Sequence, residues 1–280
     1  MLVDFMLIGA QKCGTTKLAG QLANHPSICF CREKEPGYFN AVDDWRMNLS
    51  AYHDLYSPIG DQICGEGSTM YTFLPEYRDT HLRLYEYNPN LKFLYIMRQP
   101  VERVMSNYAH RLVRGTVKTR PDHAVFATPD YLNRTRYAVQ IRPYIERFGR
   151  ENVLLLIFEE YIANPIATLD QIADFLGVAS EGFRDASSAP SVVHSSVGEY
   201  HWGGTLAKFR SASIVDRMAA AIPAAIRTRA RRALGRKLES KPVFSPELRQ
   251  LIWRFVEDDV AYIEAQMGRR LHIWREGYTE

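Results

Sequence analysis

At 280 residues, with 46% hydrophobic and 24% charged side chains, the chain has ordinary globular composition and enough length to bury a large core, and a net charge of +3 is too small to imply a nucleic-acid partner. The four cysteines, Cys13, Cys29, Cys31 and Cys64, have neither C-x2-C metal spacing nor the density of a disulfide scaffold, so they read as reduced thiols. The apolar start is interrupted by Asp4 and has no basic leader, which reads as a strand rather than a signal peptide or membrane span and sets cytoplasmic as the expected location.

In chain order, the first element is an apolar strand, Phe5-Met6-Leu7-Ile8, which enters Gly9-Ala10-Gln11-Lys12-Cys13-Gly14-Thr15-Thr16 and leaves it as a helix over 16–24. A strand, a glycine loop and a helix N-terminus cradle phosphate-like anions with backbone N–H groups and the positive end of a helix dipole. The spacing approaches the nucleotide-binding pattern G-x4-G-K-[ST], but Thr15 follows Gly14 and the lysine of the loop is Lys12, two positions before that glycine. Such a loop holds an anion beside one positive charge and lacks the lysine that reaches the terminal phosphates of ATP or GTP.

Further strands are expected over 27–31, 62–65, 91–97 and 152–158, and helices over 75–87, 100–114, 132–148 and 165–176. The fold class is therefore α/β, a doubly wound parallel sheet with its ligand at the carboxyl ends of the strands. Residues 115–130, with Pro121 and Pro129, and residues 179–205 read as loops; helical pattern returns from about Ser213, and a final amphipathic helix runs from Pro246 to Met267. One domain is expected, with an α/β core over 1–178 and a loop and helical region over 179–280. The strand over 91–97 ends at Arg98, where a P-loop kinase or GTPase would place an acid to help hold magnesium. Pro100 then opens a helix that carries Ser106 about two turns in. Arginine with a nearby serine hydroxyl suits a second anionic group, and two anion sites without a magnesium site point to a nucleotide phosphorylated at two places.

Phe5 through Thr16, followed by His25-Pro26 and Lys34-Glu35-Pro36-Gly37-Tyr38-Phe39, resemble the amino-terminal signature of sulfotransferases that use 3′-phosphoadenosine 5′-phosphosulfate (PAPS). Tyr95 through Tyr108 resemble their second signature, which binds the 3′-phosphate, in the flavour of bacterial members similar to the heparan sulfate sulfotransferase domains. The likeness continues through Glu66, Tyr137, Phe158-Glu159-Glu160 and Asn164-Pro165, over roughly residues 3–178, and reaches the tail at Leu271-His272-Ile273-Trp274. It implies a P-loop-like three-layer fold with a central parallel sheet and a helical C-terminal region. It also implies transfer of a sulfuryl group from PAPS to an acceptor hydroxyl, with 3′,5′-diphosphoadenosine (PAP) as product and no metal. By the same resemblance Lys12, Cys13, Gly14, Thr15 and Thr16 hold the 5′-phosphosulfate, and Arg98 and Ser106 hold the 3′-phosphate. Glu35 is the general base that takes the acceptor proton, and Lys12 stabilises the charge that grows on the bridging oxygen.

Two departures fall on the acceptor side: Gly37 stands where the family often has His, and Gly67 follows Glu66 where the heparan sulfate group commonly has Lys. The relatives' Lys-Gly-Arg loop near the C-terminus is not evident, and Arg210 with Ser211 is the candidate replacement contact to the nucleotide. The expected acceptor is a carbohydrate or glycolipid hydroxyl, or else a small metabolite. The competing readings are a nucleotide kinase or phosphotransferase, which would need magnesium and a lysine after Gly14, and a non-catalytic nucleotide-binding module, which would not need Glu35. His53 and His110 are alternative bases, and Arg98 has a plain alternative as an ion-pair partner of Glu102 at i+4. Seven arginines between Arg210 and Arg236, with Asp216 as the sole acid, make a basic stretch open to three readings: a solvated helix face, a site for an anionic acceptor, or a peripheral membrane contact.

Overall fold

The computed structural model describes residues 2–186, 200–202, 235–237 and 242–278. By its internal packing the chain divides into two compact units, one from Met1–Pro100, Asn133–Val193 and Trp253–Glu280, the other from Val101–Leu132 and His194–Ile252. The first contains a five-stranded sheet, β1 (Phe5–Gly9), β2 (Ile28–Phe30), β3 (Ile63–Gly67), β4 (Lys92–Met97) and β5 (Val153–Ile157), in the order β2-β3-β1-β4-β5. Every pairing is parallel, so the carboxyl ends of all five strands lie along one edge. β1 is central and buried at all five positions, which is why an uninterrupted apolar run encodes it: a parallel strand covered on both faces has no solvent side to mark with polar residues.

Helix α1 (Thr15–Ala23) buries Thr15, Leu18 and Leu22 at i, i+3 and i+7 against β1, β2 and β3. It ends at Asn24, and the following His25 is a packing residue: its Nε2 lies 2.9 Å from the Ala179 carbonyl and its ring 4.5 Å from that of Phe183. The helix Tyr137–Phe148 packs on Thr80–Tyr87 and on β5, with Phe93 set edge-on to Tyr144 and Phe148 at 5.2 and 4.6 Å. These helices begin later than the expected 75–87 and 132–148. The apolar period runs on into the preceding turns, but the hydrogen-bond ladder starts only where Asp79 and Arg136 offer the first carbonyls.

In the second unit, residues 115–130 are not the loop expected from Pro121 and Pro129. Pro121 opens the helix Pro121–Ala127 and Pro129 precedes Asp130–Asn133, because a proline has no N–H to lose in a first helical turn. Arg103, fully buried, donates to the Tyr131 carbonyl at 2.9 Å, and Arg111 pairs with Asp130 at 2.7 Å. Tyr200–Trp202 forms a strand antiparallel to Gly235–Lys237, within stretches read from sequence as loop and helix. The helix Pro246–Met267 stands where expected. Arg210 and most of the arginine-rich stretch lie outside the described residues. Among the described residues no helix is long and apolar enough to cross a membrane.

Side chains alternate along β3, so Gly65 and Gly67 share one face and Glu66 points to the other, where it is fully buried. Its Oε2 accepts from Tyr52 Oη at 2.7 Å and Tyr56 Oη at 3.3 Å, and Tyr56 also donates to Tyr52 at 3.0 Å. Tyr52 in turn stacks on Tyr38 at 4.6 Å and meets Phe39 edge-on at 5.3 Å. Burial pushes the Glu66 carboxyl above its ordinary 4.5, against the opposing effect of the tyrosine hydroxyls. A folded state that binds this proton more tightly than the unfolded chain has its full stability below the ordinary value and loses it as pH rises through the raised one. Glu66→Gln should therefore flatten the decline in urea-unfolding midpoint that wild type shows as pH rises from 4.5, and identical pH profiles for the two proteins would remove Glu66 as its source.

Candidate active site

The loop between β1 and α1 is fastened at its start by the Ala10 N–H, which donates to the Ile96 carbonyl at 2.6 Å, and turns through left-handed backbone at Lys12 (φ 72°) and Gly14 (φ 87°). Gly14 is required twice over: its φ is one that side chains resist, and a Cβ there would lie 2.8 Å from the Phe158 ring. The Gly14 carbonyl accepts from Lys17 and Leu18 to start α1, whose first turn has neither an acidic residue nor a side-chain cap. The first N–H groups of that helix and its dipole are therefore left for an anion. Arg134, which no sequence motif marked, secures the loop from outside. It donates to Gln11 Oε1 at 3.3 Å, pairs with Glu76 at 3.1 Å and lies 3.6 Å over the Phe73 ring.

Arg98, directly after β4, is half-buried, with its guanidinium 5.1 Å from the centre of the same Phe158 ring that backs Gly14. Its backbone is held by one phenol: Tyr137 Oη donates to the Arg98 carbonyl at 2.7 Å and accepts from the Arg98 N–H at 3.3 Å. The same oxygen lies 3.6 Å from Cys13 Sγ in the first loop, and Tyr137 is fully buried. The next residue is fixed as firmly. The Gln99 N–H donates to Glu159 Oε1 at 2.9 Å, while the other carboxylate oxygen accepts from Trp274 Nε1 at 3.0 Å. Glu102 pairs with Arg249 at 3.3 Å. Ser106 is half-buried on the helix Pro100–Val113.

Glu35 precedes Pro36, Gly37 and the short helix Tyr38–Ala41. Tyr38 and Phe39 are buried in the aromatic cluster around Tyr52 and so anchor the segment. From β3, the Ser68 hydroxyl accepts the Gly37 N–H at 3.0 Å, and Thr69 Oγ1 donates to Glu35 Oε2 at 3.3 Å. Glu35 has φ 54°, and among the described residues it and Lys12 are the two non-glycine residues with positive φ. Left-handed backbone costs a side-chain-bearing residue roughly 1–2 kcal/mol, and strain of this kind concentrates at functional sites.

Thr15, Thr16 and Glu35 line one cleft of about 250 Å³, together with Thr69, Gly67, Phe30 and the segment Cys31–Lys34. Glu35 thus shares a cleft with the uncapped first turn of α1. Lys12 is not among the lining residues; it lies in the turn just before them. Neither alternative base lines the cleft either. His53 Nε2 is 3.0 Å from Tyr87 Oη, with its pKa lowered by burial, and His110 is on the helix Pro100–Val113. The Cys31 thiol is pushed up to about 11 by burial and is not a thiolate at neutral pH. Among the described residues no cluster of His, Cys, Asp and Glu is arranged to hold a metal ion.

Comparison with known proteins adds the family. The sulfotransferase domain family matches residues 2–200. Human heparan sulfate glucosamine 3-O-sulfotransferase 3B1 is 27% identical over 192 residues, covering 63% of this chain and 46% of that protein. The membrane-associated sulfotransferase kil1 of Dictyostelium discoideum is 35% identical over 109 residues, 38% of this chain and 22% of its own length. The chain therefore spans less than half the length of these relatives. The crystal structure of a sulfotransferase from Alicyclobacillus acidocaldarius superposes with a TM-score of 0.68 at 24% identity, over 99% of this chain and all of that one, which shows a shared fold.

Because one phenol serves the loops of Cys13 and Arg98, Tyr137→Phe should loosen both. Leaving the buried Arg98 amide groups without that partner costs about 1–3 kcal/mol of stability, measurable by urea unfolding. Calorimetric titration should show weaker PAP binding by the variant, and unchanged affinity would mean that the loops are held by other contacts.

Proposed function

The chain belongs to the sulfotransferase family, and we propose that it transfers a sulfuryl group from PAPS to the hydroxyl of an organic acceptor, with Glu35 as general base. PAPS dependence is the standard property of this family. The observation that carries the reading for this chain is the shared cleft, which Glu35 lines together with Thr15 and Thr16 of the first turn of α1. That N-terminus fits the anionic phosphosulfate, since it presents N–H groups without a capping side chain or an acid to repel the ligand.

When bound, the donor supplies the sulfuryl group, whose S–O bond to the 5′-phosphate breaks as an S–O bond to the acceptor oxygen forms. The N–H groups of the loop, with Thr15 and Thr16, orient the phosphosulfate. Lys12, from its left-handed turn, offsets the charge left on the phosphate oxygen. Glu35 Oε1 or Oε2 takes the acceptor proton, with Thr69 Oγ1 holding the carboxylate in place. Arg98, in the role its signature implies, takes the 3′-phosphate. A kinase reading is disfavoured because Thr15 occupies the position where a lysine would reach a terminal phosphate. The acceptors expected for the family at large are carbohydrates, glycolipids and small metabolites; heparan sulfate figures in the names of several relatives.

Two measurements test these roles. Glu35→Gln should lower turnover by roughly 10²–10⁴ while PAP still binds. Full activity in that variant would move the base elsewhere. Arg98→Ala should weaken PAP binding about ten- to a hundredfold per charge-assisted hydrogen bond lost, and leave adenosine 5′-phosphosulfate, which lacks the 3′-phosphate, nearly unaffected. Equal weakening toward both nucleotides would place Arg98 away from that phosphate.

A further inference from the structure

Beyond Glu35 and the three threonines, the cleft is floored by small and apolar side chains: Leu7 from β1, Ala19 and Ala23 from α1, and Phe30 from β2. Two glycines, Gly20 and Gly67, keep it open. The space at Gly67 is defined by its neighbours, because a Cβ there would meet Phe30 Cζ at 3.4 Å and the Cβ atoms of Ala19 and Leu7 at 3.8 Å. A larger side chain at 67 would extend between those three groups and fill the slot. At Gly20 a Cβ would meet nothing within 4 Å. Neither glycine has positive φ, so space rather than backbone strain decides what these positions admit.

The charges of the lining balance. Arg32 and Lys34 are offset by Glu33 and Glu35, two cations against two carboxylates, and the Arg32 guanidinium is engaged by the Asp54 carbonyl. A polyanionic chain is drawn into a cleft of one sign of charge, and among the described residues the side chains of this lining sum to zero, which leaves the N-terminus of α1, at the donor end, as its positive pole. An apolar body gains from leaving water against Leu7, Phe30 and the two alanines, at roughly 25 cal/mol per Å² of apolar surface covered.

Resting on the sulfuryl-transfer reading, we infer that the acceptor is a neutral alcohol or phenol whose carbon frame, next to the reacting hydroxyl, is apolar and fills the slot between Gly67, Phe30, Ala19 and Leu7. A sulfated or carboxylated glycan is not the acceptor this cleft selects. The hydroxyl then points to Glu35 and the N-terminus of α1, while the body lies along the glycine side of the cleft.

The test uses 2-naphthol as the probe, titrated by its own fluorescence into the whole protein with and without saturating PAP, against Gly67→Leu and Gly20→Leu. Leucine at 20 is on an exposed, helical position where it raises helix propensity, so that variant keeps the fold even if the one at 67 does not. Saturable binding to wild type, weakened at least tenfold in a folded variant whose PAP affinity is unchanged, is the expected result. Absence of naphthol binding, wild-type binding by both variants, or tighter binding and faster sulfation of a heparan sulfate oligosaccharide than of neutral alcohols would overturn the inference. The donor reading is judged separately: it falls only if PAP fails to bind, and the naphthol titration without PAP still decides whether the slot takes an apolar body.

Discussion

The hydroxyl of Tyr137 is the constraint on which the donor side of the site depends. It donates to the carbonyl and accepts from the N–H of Arg98, and it lies 3.6 Å from the thiol of Cys13. Two loops from the ends of neighbouring strands β1 and β4 are thereby referred to one buried oxygen. The Phe158 ring does the same by packing, with Gly14 against one part of it and the Arg98 guanidinium over its face. A cation over an aromatic face is attracted by the ring quadrupole, which helps to fix the position of the Arg98 guanidinium.

The Glu35 side of the cleft is built differently, from the two faces of β3. On one face the fully buried Glu66 organises Tyr52 and Tyr56, and the cluster they join anchors Tyr38 and Phe39 behind the Glu35 segment. On the other face Gly67 leaves room beside Phe30 and Ala19. Immediately after the strand, Ser68 and Thr69 reach Gly37 and Glu35. One short strand and the residues just after it therefore position the Glu35 segment and shape the space next to it.

Lys12 and Glu35 both adopt left-handed backbone, at φ 72° and 54°, on loops that leave β1 and β2. Each conformation costs roughly 1–2 kcal/mol, which surrounding contacts must offset. For Lys12 these are the Ala10 N–H to Ile96 bond and the Arg134 contact to Gln11; for Glu35 they are the Ser68 and Thr69 hydrogen bonds and the buried aromatic pair. Pre-organisation of this kind places a charge and a carboxylate without relying on ligand binding to order them.

The order of strand, glycine loop and helix was legible from residues 5–24 alone, because an apolar strand, a glycine turn and an amphipathic helix each depend on contacts within a few residues in the chain. The two signatures around Lys12 and Arg98, and Glu35 after the first of them, were read from a family resemblance rather than from local pattern. Prolines misled at 121 and 129, where a residue that ends many helices instead begins two. What sequence could not disclose are pairings across long separations: Tyr137 with Arg98 and Cys13, Thr69 with Glu35, Arg134 with Gln11, and Gly67 opening onto Phe30, Ala19 and Leu7. Those depend on strand order and register, which place Leu7 beside Gly67 and turn Glu66 to the opposite face. A one-residue slip would exchange the buried carboxylate and the open slot, so their assignment belongs to the tertiary structure.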